Sequence, residues 1–281
     1  MIEQDPLTRV ARLFDEVHHK TGILLTAFGH DPMPASIAAR ELITPAGAEH
    51  LKSAYSQGSL LIEVAADQLA AFVRGVTQPV LTIAPWTNAR GVLETAAVGV
   101  WLLDDHVGGN ERIRRSYALR CAGLAEQVKF ARSAGNPTDT DRAEQRLDYV
   151  LKQAKTEGVE TKNDKNGKLV LSTPMPSFTD LIRDHLNDES SYRLFSAMTH
   201  AHSWAVQQLG FKKADSLTDM SFEKSINIRA VEYLASTALT AFRKPIECKC
   251  RLFGWPDDEI VLKFDESMKN LKLIFHGLDQ S

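Results

Sequence analysis

Cysteine is scarce, with three in 281 residues, at positions 121, 248 and 250. That is too few for a disulfide framework, and Cys248-x-Cys250 without a second Cys or His pair nearby is no zinc signature. The expected state is reduced thiols in a cytoplasmic protein. Long apolar runs are missing too. The longest, Thr95 to Leu103, falls far short of the roughly 20 residues that span a bilayer, so no membrane association is expected. The N-terminus, Met1-Ile-Glu-Gln-Asp, is acidic and polar, unlike a signal peptide. Positive charge is not in excess: 33 Lys and Arg face 36 Asp and Glu, a net charge of −3. A global basic field is thereby excluded, and any RNA contact must come from a local patch. There is no Gly-x-Gly-x-x-Gly, no P-loop and no Gly-x-Ser-x-Gly, so nucleotide-fold and hydrolase readings have no support. Internal repeats, low-complexity segments and long Pro/Gly/Ser linkers are also absent.

What is present is helical periodicity. The apolar fraction of 43% is enough for a real core. Leu61, Val64, Ala65, Leu69 and Phe72 form one stripe at three-four spacing; Ile113, Tyr117, Cys121, Leu124 and Val128 form a second. A third runs Ile228, Val231, Ala235, Ala238, Phe242, and a fourth Val261, Phe264, Met268, Leu271, Phe275. The pattern predicts helices over 4–27, 45–74, 84–105, 109–134, 139–157, 177–208, 225–252 and 257–276. Thr44-Pro45 reads as a helix start, and Asp257-Asp258 after Pro256 as another. The 177–208 span is expected to break near Asn187–Ser190, with Ser190 as cap. Segments 28–44, 75–83, 158–176 and 209–224 read as loops, and Asn166-Gly167 signals a type I′ hairpin within 160–172. The expected fold class is all-α: one domain over 1–281, a multi-helix up-and-down bundle with a small polar hairpin-like insertion.

Two helices carry residues suited to chemistry. The 84–105 helix is apolar all round from Gly91 to Leu103 except for Glu94, which marks it as buried. Arg90 and Glu94 lie four apart on one face, as a structural lock or as orienting groups of a site. In the 190–208 helix, Arg193 and His200 are seven apart, close to two turns, with Ser196 between them. An arginine fork suits a phosphate and a histidine moves protons near neutral pH. Together they fit metal-free transesterification of RNA. On continuous helix His202 would point about 200° away from His200. Arg112 and Arg115, on one face of the 109–134 helix, are candidate phosphate contacts, or else part of a solvated face. A metal-binding bundle is the remote alternative: Glu16-Val-His18-His19 holds one Glu-x-x-His, and Glu63 and Glu94 are further carboxylates, but a second Glu-x-x-His is absent.

Arg193-x6-His200 resembles the Arg-x(4–6)-His motif of the HEPN superfamily, an all-helical group. Arg90-x-x-Leu93-Glu94 looks like the "R-x-x-L-E" helix of one branch. Tyr192-x-x-x-Ser196-x-x-x-His200 looks like its "Y-x-x-x-S-x-x-x-H" helix. The matches span about 40 residues. The resemblance implies a HEPN-like core over about 45–245 with flanking helices. It also implies a metal-independent endoribonuclease without cofactor, acting as a toxin or antiviral defence effector. Arg193 and His200 would be catalytic, with Ser196, Tyr192, Arg90 and Glu94 in support. A homodimer, RNA, and a protein partner such as an antitoxin are the implied partners. Leu194 departs from the pattern, since active members usually carry Asn, Asp or His at that position. Non-catalytic members exist, so a scaffold that binds another protein is the alternative function.

Overall fold

The computed structural model describes residues 6–28, 31–43, 47–77, 80–213, 222–224 and 227–276. The described helices are α1 (Pro6–Ala27), α2 (Ile37–Leu42), α3 (Ala48–Val76), α4 (Ala84–Leu103), α5 (Gly109–Ser133) and α6 (Pro137–Thr156). After them come α7 (Phe178–Leu181), a π-helical turn (Ile182–Leu186), α8 (Glu189–Thr199), α9 (Ser203–Leu209), α10 (Ile228–Phe253) and α11 (Asp258–His276). The fold is an all-α helical bundle. The expected start at Thr44-Pro45 lies outside the described residues. α3 begins after Gly47, whose φ of 93° favours glycine.

Short polar side chains fix several helix starts by accepting from first-turn N–H groups: Ser36 from Ala39, Asn136 from Asp139, Ser177 from Asp180, and Asn227 from Arg229 and Ala230. Pro137 sits in the first turn of α6, where its missing N–H costs nothing. The break before α8 falls where the sequence places it. Asn187 adopts a left-handed φ of 56°, and the N-cap is Asp188, not Ser190.

α4 is the central helix. It packs most extensively on α3, then on α10 and α8, which is why it is apolar all round. Gly58 on α3 makes the closest approach, since a Cβ there would lie 2.4 Å from Leu103 Cδ2. The buried face of α3 is Leu51, Tyr55, Ile62, Ala65, Leu69 and Phe72. Ala65, Leu69 and Phe72 of the stripe read from the sequence belong to this face, while its Leu61 is half-buried and its Val64 exposed. Each fully buried Leu, Ile or Phe of this kind contributes about 1.5–3 kcal/mol. α5 pairs with α6 in a helical hairpin and packs on α3, and α11 closes over α1 and α10. One contiguous apolar cluster runs from Leu7 to Phe275.

The predicted hairpin forms as β1 (Thr161–Asn163) paired antiparallel with β2 (Leu169–Leu171). Its turn is not type I′, which needs two central residues at positive φ. Asp164 Oδ1 instead accepts from the N–H groups of Asn166 and Lys168, and only Gly167 is left-handed. A second antiparallel pair, β3 (Phe211–Lys213) with β4 (Phe222–Lys224), lies where the sequence reads as loop. Among the described residues, no helix is long and apolar enough to cross a membrane.

Candidate functional site

Arg90 and Glu94 are the polar interruption of α4, and both stand about one-fifth exposed where α8 crosses. Arg90 Nε donates to Glu94 Oε1 at 2.8 Å. From α8, the Tyr192 hydroxyl donates to the same oxygen at 3.0 Å, and the Arg90 guanidinium lies 5.5 Å from the centre of the Tyr192 ring. Burial works against the charge on Arg90, but Glu94 and Tyr192 outweigh it and raise its pKa. Burial first, then Glu94, also raises the pKa of Tyr192, which keeps its hydroxyl a donor. The pair is thus a lock between two helices, and it aims one end of Arg90 outward.

That end meets His200: Arg90 Nη1 lies 3.1 Å from His200 Nε2. A guanidinium only donates, so Nε2 must accept. In this contact the imidazole is therefore neutral, with its proton on Nδ1. His200 is exposed, so its ring faces solvent beside a fixed cation.

His200 is not in the helix. α8 ends at Thr199 and His200 is its C-cap. Ala201 follows with a left-handed φ of 52°. Ala201 N donates to Met198 O at 3.1 Å and His202 N to Ala197 O at 2.9 Å, the paired bonds of a Schellman termination. The chain reversal brings the exposed rings of His200 and His202 to a centroid separation of 6.4 Å, instead of placing them on opposite faces. Left-handed backbone at a non-glycine residue costs about 1 kcal/mol or more, so the surrounding structure holds this turn. No glycine marks the stop, and the sequence pattern missed it.

Arg193 takes a different course. Both Nε and Nη2 bind Glu189, at 2.7 and 2.6 Å, and the side chain is 69% exposed. Among the described residues no hydrogen bond or ion pair joins it to His200. Ser196 is half-buried on α8, and its backbone carbonyl accepts from His200 N at 2.9 Å. Leu194 packs its side chain against the core.

Arg112 corrects an expectation. It is fully buried and offers a phosphate no donor. Its Nε and Nη2 reach Glu41, Nη1 donates to the carbonyls of Leu102 and Asp104, and Nη2 also donates to Val107 O. It closes the carbonyl-rich end of α4. Arg115 is only 12% exposed, held by Glu111, Asp104 and the Trp101 carbonyl. It too is tied down rather than presented to RNA.

The residues of the metal alternative do not converge. Glu16 pairs with Lys263, and His18 and His19 are exposed on α1. Among the described residues, Asp104, Asp105 and His106 are the one group close enough to hold a metal ion. Both aspartates are already engaged, by Arg115 and Arg251. Burial pushes the thiols of Cys248 and Cys250 up to about 11 and about 12, the opposite of what a thiolate ligand needs. No family model, curated protein or solved structure matches the chain.

Proposed function

We propose that the protein is a metal-independent endoribonuclease of HEPN-like type, with its reaction centre at the Arg90–His200 contact. The observation that carries this reading is that contact itself. The two sequence elements that resemble the family lie about a hundred residues apart, yet they meet through Arg90 and His200 at 3.1 Å and through Glu94 and Tyr192 at 3.0 Å.

In this reading a phosphate draws Arg90 Nη1 away from His200, freeing Nε2 as general base. His200 takes the proton of the ribose 2′-hydroxyl, and the 2′-oxygen attacks the adjacent phosphorus. The bond to the 5′-oxygen breaks, and protonated His202 supplies that oxygen with a proton. The products are a 2′,3′-cyclic phosphate and a free 5′-hydroxyl. Arg90, held by Glu94 and Tyr192, counters the charge that builds on phosphate, Arg193 adds charge from α8, and the Ser196 carbonyl holds the backbone of His200. The reading extends to a homodimer, and to a toxin or defence role with an antitoxin-like partner. A non-catalytic scaffold is the second reading, favoured by Leu194, which packs against the core where active members of the family carry a polar side chain.

The test is cleavage of end-labelled single-stranded RNA in excess EDTA. The expected product carries a 2′,3′-cyclic phosphate, and a 2′-deoxy sugar at the cut position blocks the cut. Cleavage that survives the 2′-deoxy substitution contradicts the mechanism, and no cleavage of any RNA favours the scaffold.

A further inference from the structure

The α5–α6 hairpin encloses an open groove of about 900 Å³, well away in sequence from the Arg90–His200 centre. Its walls are two helix faces at three-four spacing. α5 contributes Arg120, Gly123 and Leu124, and α6 contributes Arg142, Arg146 and Tyr149. Among the described residues that line it there is no Asp or Glu. The neighbouring carboxylates are turned to cations elsewhere: Glu126 to Lys129, Glu144 to Arg132 and Asp148 to Lys152. Arg142 has a long contact to Asp139 at 3.6 Å and stays 71% exposed. Arg120 lies over the Tyr117 ring at 5.3 Å, and neither it nor Arg146 has an ion-pair partner among the described residues. A protein of net charge −3 thus concentrates three arginines in one concave strip.

Tyr149 gives the strip its second property. The residue is 66% exposed, one turn beyond Arg146. An exposed aromatic beside arginines is what a flexible strand with planar bases requires: phosphates pair with the guanidinium groups and a base stacks on the ring. Arg142 and Arg146 stand about 6 Å apart along the helix, a repeat that a sugar–phosphate backbone can follow. The cleft between two packed helices, with axes about 8–10 Å apart, is too narrow for a duplex. The groove is bare beside Gly123, where no atom lies within 4 Å of the place a Cβ would take.

We infer that the α5–α6 groove binds single-stranded RNA, with Arg120, Arg142 and Arg146 on phosphates and Tyr149 under a base. The choice of RNA as the polymer rests on the cleavage reading; the groove chemistry does not.

The test uses the full chain carrying His200→Ala, so that the probe stays intact, and a fluorescein-labelled oligouridylate read by anisotropy over a salt series. Binding is expected to weaken with salt. Gly123→Leu fills the groove without removing charge. It should weaken binding at least tenfold while leaving the melting temperature equal or higher, since leucine is the better helix former. Arg146→Gln should lower the slope of log K against log salt by about 0.7, the loss of one phosphate contact on a single strand. Unchanged binding by Gly123→Leu overturns the inference. So does equal binding of a duplex of the same length, or displacement of the probe by an oligoglutamate peptide of equal charge. Groove binding without any cleavage by the wild type sinks the nuclease reading and leaves the groove. Cleavage by a Gly123→Leu chain with wild-type kcat and KM sinks the groove and leaves the nuclease.

Discussion

Arg112 and Arg90 are both helix arginines paired to a glutamate, and they use their donors in opposite ways. All five N–H groups of Arg112 point into the protein, to Glu41 and to three backbone carbonyls, and the side chain is sealed from water. Arg90 gives Nε to Glu94 and turns Nη1 to an exposed histidine. A closed set of bonds holds helices together and does nothing else. A set that ends on a titratable ring at the surface leaves one interaction to be exchanged for a substrate. The difference separates an arginine that serves the fold from one that can serve a reaction, although both look alike in sequence.

The largest effect expected is on the closed set. Arg112→Ala leaves the nearly buried Glu41 without its cation and takes the donors from three backbone carbonyls, and should lower stability by about 3–5 kcal/mol in urea unfolding. A loss below about 1 kcal/mol would mean that Arg112 does not hold these helices together.

Lys249 extends the contrast, as a buried cation with no carboxylate bound among the described residues. It is 1% exposed; its Nζ donates to Ser59 Oγ at 2.8 Å and lies 4.7 Å from the centre of the Trp255 ring. Burial lowers its pKa to about 8 from an ordinary 10.5. Between those values the unfolded chain holds a proton that the folded chain has released, so stability rises with pH across that window. The gain should be about 1–3 kcal/mol and absent in Lys249→Met, read as the difference between their unfolding curves at pH 8 and pH 10.5.

Smaller again is Tyr192→Phe, which removes one bond to Glu94 and should cost about 1 kcal/mol in thermal unfolding. Cleavage should fall with it, since Arg90 loses part of its support. His200→Ala should barely move stability, by less than about 0.5 kcal/mol, because the ring is exposed. On the proposed reading, its effect falls on cleavage.

The stripes of α10 and α11 were legible because a repeating apolar face is local information. Ala235, Ala238, Phe242, Phe264, Leu271 and Phe275 are all buried, as their spacing requires. The break at Asn187 was legible for the same reason. The end of α8 was not. Ala201 occupies the left-handed position that glycine ordinarily marks, so a helix drawn through it set His200 and His202 on opposite faces. Arg112 was misread because its partner Glu41 is 71 residues away, and nothing in a basic helix tells which arginine turns inward. The π-helical turn before α8 likewise has no sequence punctuation. Of the candidate site, the pairing of Arg90 with Glu94 followed from spacing alone; the contact with His200 depends on how α4 and α8 cross.

The most direct measurement is the single-turnover rate of RNA cleavage in EDTA by His200→Ala, taken beside its melting temperature. The rate should fall by about 10²–10⁴, with melting within a few degrees of the wild type. Cleavage at the wild-type rate by the folded His200→Ala protein would contradict the proposed role of His200.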